Sequence, residues 1–501
     1  MIVIESSGLK IMDSNTDKQL KLYLDLICYI CVLVATILVF LFIGQGQAES
    51  DTLWHIKAGQ WALENGIPHT DPFSWTMQGE DWFAHEWLWE VCVAWIYGKF
   101  GHVGTWLFTC LGVGLFGAAL WGLLSRRCSV QRASLLFVLV MFSSAIFWNT
   151  RPHPMAQALF ACTVFLLLNC KNKPWLLYLL PPVIMLWANV HGSAPLGVLL
   201  AAFYWFITVR GINLSWASVY AEQLSRETSR VLGLCTIASL AASMINPRGI
   251  DLWAYMFKVS GDPLMSKYIT EWHSPNFHDI TFWPIIFVSL CLFSLLALRG
   301  NLSERKIPFF EFVLMCGFFF LALKQMRHAP YFYFTSALVL APLIGERVTR
   351  AVKHSAGFKT GLAAFSVLLF VLLSYLNPPT WLKNDRFFPA AAVDYLEQNQ
   401  LVNNVFNEYG YGGYLIWRGI NPFIDGRADL YTFDSDIFKD YLGAKGSLES
   451  NTLPQEYLDK YDIHTIIIRA GSKLDCYLKY HPGWSEVFRD EGATIYVKEI
   501  V

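Results

Sequence analysis

The chain has 501 residues and a formal net charge of −1 at pH 7, with 54% hydrophobic and 15% charged residues. Soluble proteins carry about 25% charged residues, so the composition argues against a soluble enzyme. It also argues against a disordered chain, because disorder requires low hydrophobicity and high net charge. A near-neutral chain has no global basic field to hold nucleic acid. Aromatic residues at the ends of apolar runs are typical of membrane interfaces. The composition therefore predicts an α-helical polytopic membrane protein that contacts the lipid bilayer.

Apolar runs close to the ~20 residues that a bilayer-spanning helix needs recur along the first three quarters of the chain. We predict about eleven spans, near residues 22–45, 104–124, 134–149, 156–170, 175–190, 194–210, 230–245, 281–298, 307–323, 331–346 and 360–376. This arrangement divides the chain into a cytoplasmic tail at 1–21 and a membrane domain at 22–376 that has a long first outer loop at 46–103.

The distribution of basic residues predicts the orientation. Before residue 377, the tail and loops on the N-terminal side of the membrane hold 18 Lys and Arg, against 8 on the opposite side. Cytoplasmic loops carry the excess of such residues, so we expect a cytoplasmic N-terminus and an extracytoplasmic C-terminal segment. Nine of the ten histidines before residue 377 fall on the outer side. We therefore expect chemistry or recognition on the outer face.

Residues 377–501 have a different pattern, with 12 Lys and Arg against 18 Asp and Glu. Short apolar and amphipathic stretches alternate there, which predicts a small extracytoplasmic α/β domain. We expect helices at 390–398, 434–442, 454–461 and 473–480, and strands at 404–407, 414–417, 422–424, 465–468 and 494–497.

The first outer loop begins with Glu49-Ser50-Asp51-Thr52-Leu53-Trp54-His55, directly after the first predicted span. Apolar residues at helical spacing predict a helix over 53–64 that could lie in the membrane interface. A carboxylate at membrane level is costly unless it is paired or functional, so Asp51 is a candidate catalytic residue. The alternative is that Asp51 caps the helix, and the two roles are compatible.

Several motifs resemble one known family. They are D-x-L-W-H-I-x-x-G-x-W at 51–61, P-x-T-D-P-F-S-W-T at 68–76, H-E-W-L at 85–88, and the segments 412–417 and 423–429. Together with the many spans, they resemble a bacterial branch of the C-type membrane glycosyltransferase superfamily (GT-C). In that superfamily an acidic catalytic residue lies just after the first span, and a soluble domain often follows the last one.

The resemblance implies a hexosyltransferase that moves a sugar from a polyprenyl-phosphate donor to a lipid-linked glycan or cell-surface polysaccharide. The active site would face outward from a bacterial inner (plasma) membrane. The acceptor hydroxyl needs a general base, for which Asp51 is the candidate by its position in the family pattern. Glu86 is the second candidate acid, and its alternative role is structural pairing with an arginine of the outer loops. The departing lipid phosphate needs a cation to meet its developing charge.

Polar clusters in the predicted outer loops supply further candidates for substrate binding. They contain His55, Arg151, His153, His191, Arg248, Glu271, Trp272, Arg327 and His328. We expect Arg151, Arg248 and Arg327 to be the phosphate ligands, with Arg327 favoured by its place in the resemblance. The alternative for each arginine is an interfacial anchor.

A divalent metal ion is possible but is not established by the sequence. His55, His153, His191 and Glu271 are residue types that bind zinc or manganese, but they lack the close spacing of a metal motif. Some members of the superfamily use such an ion and others do not.

Three alternatives remain open for the whole chain, and one for its C-terminal part. A polymerase or ligase of surface polysaccharide would use a pyrophosphate-linked donor. A transporter or flippase of lipid-linked glycans would place polar residues within its spans, and these spans are largely apolar. A non-catalytic assembly protein could keep the fold without activity. Residues 425–429 either bind the acceptor or close a turn with an internal Arg–Asp pair.

Overall fold

A computed structural model of the protein describes residues 14–45, 49–214, 219–297, 307–344, 388–433, 435–447 and 452–499. The last predicted span, near 360–376, lies outside these residues. The first ten predicted spans all coincide with helical segments. Within the described ranges, four helical segments are long and apolar enough to cross a membrane, namely Tyr23–Ile43, Trp87–Leu124, Val130–Phe147 and Ile280–Ala297.

Most of the helices before residue 345 pack around one large apolar core, whereas the short helix at 263–268 packs against other apolar clusters. Their bounds are α1 Ser14–Gln45, α2 Ser50–Asn65, α3 Trp87–Leu124, α4 Val130–Ser144, α5 His153–Asn169, α6 Leu180–Val190, α7 Pro195–Arg210, α8 Arg226–Ser243, α9 Asp251–Gly261, α10 Pro263–Tyr268, α11 Trp283–Ala297, α12 Phe309–Lys324 and α13 Ala329–Ile344. Short 3₁₀ turns at Ala145–Phe147, Pro174–Leu179, Thr270–Trp272, Ile280–Phe282 and Met326–His328 extend or join them. A small sheet joins β1 Ile212–Leu214, β2 Val219–Ala221 and β3 Ile307–Pro308.

Helix α3 is longer than the predicted span at 104–124. It begins at Trp87, within the predicted loop 46–103, and continues across a kink at Gly101. Gly101 has φ 58° and ψ −152°, a conformation that glycine adopts without the steric cost of a Cβ. The kink divides α3 into a first part, which comes from the predicted loop, and a second part, which covers the predicted span at 104–124. The predicted helix at 53–64 is confirmed as α2, which starts three residues earlier.

The C-terminal residues form the expected small α/β fold. Strands β4 Val405–Asn407, β5 Thr465–Arg469, β6 Trp484–Arg489 and β7 Ala493–Lys498 form one sheet in the order β4-β5-β7-β6. Strand β4 pairs with β5 in parallel, and the other two pairings are antiparallel. The helices are α14 Ala390–Gln398, α15 Gly412–Arg418, α16 Ala428–Thr432, α17 Ile437–Ala444, α18 Pro454–Lys460 and α19 Lys473–Leu478.

The structure corrects three predictions in this domain. Residues 414–417 are helical, as part of α15, and not a strand. Residues 422–424 contribute one isolated bridge, between Pro422 and Val405, instead of a strand. The sequence interpretation also missed β6. Helix α15 is buried along most of its length, and a short apolar run buried all round does not reveal by periodicity whether it is helix or strand.

Helix α15 attaches the C-terminal domain to the start of α2. A Cβ atom at Gly413 would overlap the backbone oxygen of Ser50, so only glycine permits this approach. A second apolar core then joins aromatic residues of the 46–103 loop, including Trp54 and Trp82, to residues of the C-terminal domain such as Phe423 and Tyr431. The 46–103 loop and the C-terminal domain therefore share one apolar core.

Candidate active site

The first turn of α2 places two acids beside an arginine that precedes α5. Arg151 donates hydrogen bonds to Glu49 Oε2 at 2.8 Å and to Glu271 Oε1 at 2.7 Å, and it forms an ion pair with Asp51 Oδ2 at 2.7 Å. The hydroxyl of Thr52 donates to the backbone oxygen of Thr150 at 2.8 Å, which fixes the loop of Arg151 against α2. Three carboxylates from two distant segments therefore share one guanidinium.

The pKa values of Glu49 and Arg151 in this cluster are both raised, but for different reasons. Burial raises the pKa of Glu49 to about 7, with Asp51 and Glu271 adding to the rise against the opposing pull of Arg151. Burial disfavours the charged form of Arg151, but the three carboxylates outweigh it and raise its pKa well above the ordinary value. Arg151 is thus a permanent internal cation whose donors are already engaged by carboxylates.

The position of Asp51 bears on the capping alternative. The residue at the N-cap of α2 is Glu49, whose side chain makes no capping hydrogen bond, and Asp51 lies inside the first turn. A carboxylate there interacts favourably with the helix dipole without being the cap. On its other side, Asp51 meets the C-terminal domain, since a Cβ at Gly426 would overlap Asp51 Oδ1.

Three histidines surround Glu86 at the start of α3. Their Nε2 atoms lie 3.5 Å (His85), 3.5 Å (His191) and 3.8 Å (His55) from its carboxylate oxygens. Burial disfavours the Glu86 carboxylate, yet the surrounding imidazoles hold its pKa well below the ordinary value. His55 also hydrogen-bonds Glu90 through Nδ1 at 3.0 Å. Glu86 is therefore the centre of an imidazole cluster, rather than the partner of an outer-loop arginine.

Arg327 has a different environment from Arg151. It follows α12, donates to His153 Nε2 at 2.9 Å, and lies with its guanidinium carbon 4.8 Å from the centre of the Trp272 ring. Because Nε2 accepts this bond, His153 is the neutral tautomer with its proton on Nδ1. No ion pair among the described residues involves Arg327, which leaves its remaining donors for a ligand.

Two cavities meet at Arg327. The larger, of about 480 Å³, is lined by Asp51, the imidazole cluster, Arg151, Glu271, Trp272 and residues 426–429. The smaller, of about 340 Å³, extends between α5, α12 and α13 and is mostly apolar. Both are lined by His153, His191, Ser193, Leu196, Arg327 and His328. A polar chamber and an apolar pocket thus share a wall that carries the Arg327 guanidinium, which has no carboxylate partner among the described residues.

Arg248 is placed elsewhere. It donates to Asp81 Oδ1 at 2.8 Å and to the backbone oxygens of Trp82 at 2.6 Å and His69 at 3.0 Å. It does not line the larger cavity. Its contacts hold the 46–103 loop, so the structure separates it from the other expected phosphate ligands.

The 425–429 segment serves two purposes. Arg427 is almost fully buried and donates to Asp71 Oδ1 and Asp425 Oδ2, each at 2.6 Å. The contact with Asp425 is the Arg–Asp pair within the segment that the sequence offered as one alternative. Asp429, by contrast, faces the larger cavity, where its Oδ2 accepts the Tyr255 hydroxyl at 3.0 Å. The sequence interpretation left open acceptor binding by the segment that contains Asp429, and it missed Tyr255 as a site residue. They lie 174 positions apart, and no local motif connects them.

The residues expected to hold a metal are only partly brought together. Glu271 is engaged by Arg151 and His153 by Arg327, whereas His55 lies with Glu86 and Glu90 in a cluster whose ligand atoms are all within 4.8 Å. Glu90 Oε2 is buried and has no hydrogen-bond partner in the part of the chain that the structure describes. Two carboxylates and an imidazole are suitable ligands for a small divalent cation, so this second cluster fits such an ion better than the carboxylates around Arg151.

Comparisons with known proteins give the fold. No protein-family model matches the chain, and no curated protein matches it by sequence. The archaeal oligosaccharyltransferase AglB from Archaeoglobus fulgidus, in complex with an inhibitory peptide and a dolichol-phosphate, has a TM-score of 0.54 at 12% identity over 94% of this chain and 74% of AglB.

ArnT from Cupriavidus metallidurans, bound to undecaprenyl phosphate, has a TM-score of 0.50 at 12% identity over 93% of this chain and 97% of ArnT. Such low identity is informative about the fold alone. AglB and ArnT both belong to the superfamily that the motifs resemble. The chain therefore has the fold of the C-type membrane glycosyltransferases, as a polytopic helical membrane protein with a small C-terminal α/β domain.

Proposed function

We propose that the protein is a membrane glycosyltransferase that moves a hexose from a polyprenyl-phosphate donor to a lipid-linked glycan or cell-surface polysaccharide. The observation that carries this proposal is the position of Arg327 where the apolar cavity meets the polar one. A lipid phosphate needs that combination, since its chain requires apolar walls and its headgroup requires a cation. AglB with dolichol-phosphate and ArnT with undecaprenyl phosphate share the fold.

Arg327 is the phosphate ligand that we favour. A guanidinium presents donors in a planar fork that matches phosphate oxygens, and this one has no carboxylate partner among the described residues. His153 and Trp272 hold it in place from two sides. Arg151 forms ion pairs with Glu49, Asp51 and Glu271, and we assign it the role of orienting these three carboxylates.

Asp51 is the base in this proposal. The acceptor hydroxyl oxygen forms a bond to the anomeric carbon while the bond from that carbon to the phosphate oxygen breaks. Asp51 takes the hydroxyl proton, and polyprenyl phosphate leaves with its charge met by Arg327. The ion pair with Arg151 uses Asp51 Oδ2, so we assign the proton to Oδ1, on the Gly426 side.

The orientation is part of the proposal. The excess of Lys and Arg on the N-terminal side of the spans supports a cytoplasmic tail at 1–21. Residues 22–376 then form the membrane domain, and 377–501 the extracytoplasmic domain of a bacterial inner-membrane protein. The site would face outward, where a polyprenyl-linked sugar and not a nucleotide sugar is the available donor.

The experiment is binding of undecaprenyl phosphate to the purified full chain, measured by native mass spectrometry. Wild type should bind it, undecaprenol without phosphate should bind much more weakly, and Arg327→Ala should lose about tenfold or more in affinity. Arg418→Ala is the matched control, since Arg418 pairs with Asp394 and Glu397 in the C-terminal domain, away from both cavities. Equal binding of undecaprenol and undecaprenyl phosphate would contradict the proposal.

An assay of sugar transfer distinguishes the proposed transferase from a flippase and from a polymerase or ligase. A flippase would move the polyprenyl-linked sugar across vesicle membranes without releasing polyprenyl phosphate. A polymerase or ligase would require a pyrophosphate-linked donor and release polyprenyl pyrophosphate. The proposed reaction releases one polyprenyl phosphate for each sugar transferred.

A further inference from the structure

Three buried polar side chains lie together where α2 meets the start of α3, namely His55, Glu86 and Glu90. Their exposed fractions are 3%, 8% and 1%. Each offers one ligand atom, and these atoms all lie within 4.8 Å of one another. All three residues line the larger cavity, so a small ion can reach them from the polar chamber.

The two carboxylates have little positive charge around them. Within the described ranges, neither Glu86 nor Glu90 forms an ion pair with a Lys or Arg. The ion pairs of His85 and His191 are with Glu86, so His55 is the partner left for Glu90. That contact uses Glu90 Oε1, and Oε2 is buried without a donor among the described residues. A buried carboxylate oxygen without a partner is costly, and a bound cation would remove the cost.

We propose that His55, Glu86 and Glu90 bind one divalent transition-metal ion, of the class of Mn²⁺ or Zn²⁺. The site goes beyond the proposed function, whose chemistry uses no metal ion. An imidazole nitrogen with two carboxylate oxygens suits these ions, whereas Mg²⁺ and Ca²⁺ prefer oxygen ligands alone. The carboxylates around Arg151 are a poorer site, because the guanidinium already engages them and would repel a second cation.

The ligands are held in place by their surroundings. The centre of the His55 ring lies 3.6 Å from that of Trp54 and 5.2 Å from that of Trp89, so packing with two indoles fixes its orientation. A Cβ at Gly59 would overlap the backbone oxygen of Glu90, so α2 and α3 are in direct contact beside the cluster. Ligands that are fixed before binding lose little conformational freedom when the ion arrives.

The site has a positioning role for the proposed base. Asp51 and His55 are four residues apart on α2, which places them about one helical turn apart on the same face. An ion held by His55 together with Glu86 and Glu90 would link this part of α2 to the start of α3. The first turn of α2, which carries Asp51, would thereby be fixed against the wall of the larger cavity.

The test is metal binding by the purified full chain, stripped with a chelator and reloaded with Mn²⁺ or with Zn²⁺. Wild type should bind one ion per chain, and electron spin echo spectra of bound Mn²⁺ should show coupling to an imidazole nitrogen. Glu90→Gln should weaken binding about tenfold or more. Glu64→Gln, at an exposed position of α2, is the matched control. Glu271→Gln removes a carboxylate from the cluster around Arg151, and both of these variants should bind as wild type does.

Thermal unfolding separates a metal site from an ordinary hydrogen bond between His55 and Glu90. Without metal, Glu90→Gln should unfold at the temperature of wild type or above it, because glutamine leaves no buried charge without a partner. Saturating Mn²⁺ should raise the midpoint of wild type further as its concentration increases, and should leave Glu90→Gln unchanged. Ca²⁺ should have a much smaller effect on wild type.

Wild type that binds neither Mn²⁺ nor Zn²⁺, or metal binding that Glu271→Gln loses and Glu90→Gln keeps, would overturn the site. Bound Mn²⁺ without nitrogen coupling, or equal stabilisation by Ca²⁺, would overturn it as well. Undecaprenyl phosphate binding by the same samples separates this inference from the proposed function. Glu90→Gln should keep the wild-type affinity for that lipid, which also shows that the variant is folded. Failure of wild type to bind the lipid would contradict the proposed function and leave the metal site standing.

Discussion

Gly426, in the C-terminal domain, lies directly against the carboxylate of Asp51, in the first turn of α2. Any side chain at position 426 would occupy the place of Asp51 Oδ1. The C-terminal domain therefore forms part of the wall that positions the proposed base, although the two residues are 375 positions apart in the chain. This relationship makes the position of Asp51 testable without changing Asp51 itself.

Gly426→Ala should lower turnover about 10²-fold, because displacing a reacting group by an ångström costs rate on this scale. Gly410→Ala is the matched control, since a Cβ at Gly410 meets nothing within 4 Å. Both variants should be equally abundant in membranes and should bind undecaprenyl phosphate as wild type does. Equal transfer rates for the two variants would show that the contact between Gly426 and Asp51 does not position the base.

Glu49→Gln should change how stability depends on pH. Burial raises the pKa of Glu49 to about 7 from the ordinary 4.5. The folded protein then binds more protons than the unfolded chain between these values, so its stability falls as the pH rises from about 4.5 to about 7. The loss is on the order of 1–3 kcal/mol, and glutamine, which does not titrate, removes it.

The measurement is the thermal unfolding midpoint of wild type and Glu49→Gln between pH 4.5 and 8. Wild type should lose stability across the interval, and the variant should show a flatter profile with its largest relative gain at pH 7 and above. A parallel pair of profiles would mean that Glu49 titrates normally and that Arg151 keeps it ionised throughout.

Arg427→Met should destabilise the C-terminal domain by about 3–5 kcal/mol, because it leaves the buried carboxylates of Asp71 and Asp425 without their cation. Lys439→Met removes the cation of an exposed pair with Asp436 and should leave the unfolding midpoint unchanged. Denaturant unfolding of the two variants in the same detergent measures the difference. A midpoint for Arg427→Met equal to that of Lys439→Met would show that the two carboxylates find other partners or protonate at no cost.

The sequence predicted the helical architecture well because spans and amphipathic helices have long apolar patterns. Each of the first ten predicted spans coincides with a helical segment, and the helix containing Trp54 starts near its expected position. The same logic failed at 414–417, where α15 is apolar on all sides and too short for its period to show. Local pattern is informative only where an element has both a buried and an exposed face.

The candidate site was predictable only in part. Asp51 stands in a recognisable motif and Arg327 in a polar cluster of a predicted outer loop, and the structure places both at the larger cavity. Arg248 stands in a similar polar cluster, yet its carbonyl and carboxylate partners lie in the 46–103 loop. Asp429 and Tyr255 meet through the packing of two distant segments. Which polar residues face one chamber depends on helix packing, and a single sequence does not contain that information.

The central claim is that Asp51 takes the proton of the acceptor hydroxyl. Asparagine keeps the size and hydrogen-bonding capacity of this residue within the first turn of α2, but it cannot accept a proton. The most direct measurement is release of polyprenyl phosphate during transfer by membranes that contain equal amounts of wild type, Asp51→Asn and Asp51→Glu. The account predicts that Asp51→Asn binds undecaprenyl phosphate normally and turns over about 10²-fold or more slowly, with partial activity for Asp51→Glu. Wild-type turnover by Asp51→Asn would contradict it and remove Asp51 from the mechanism.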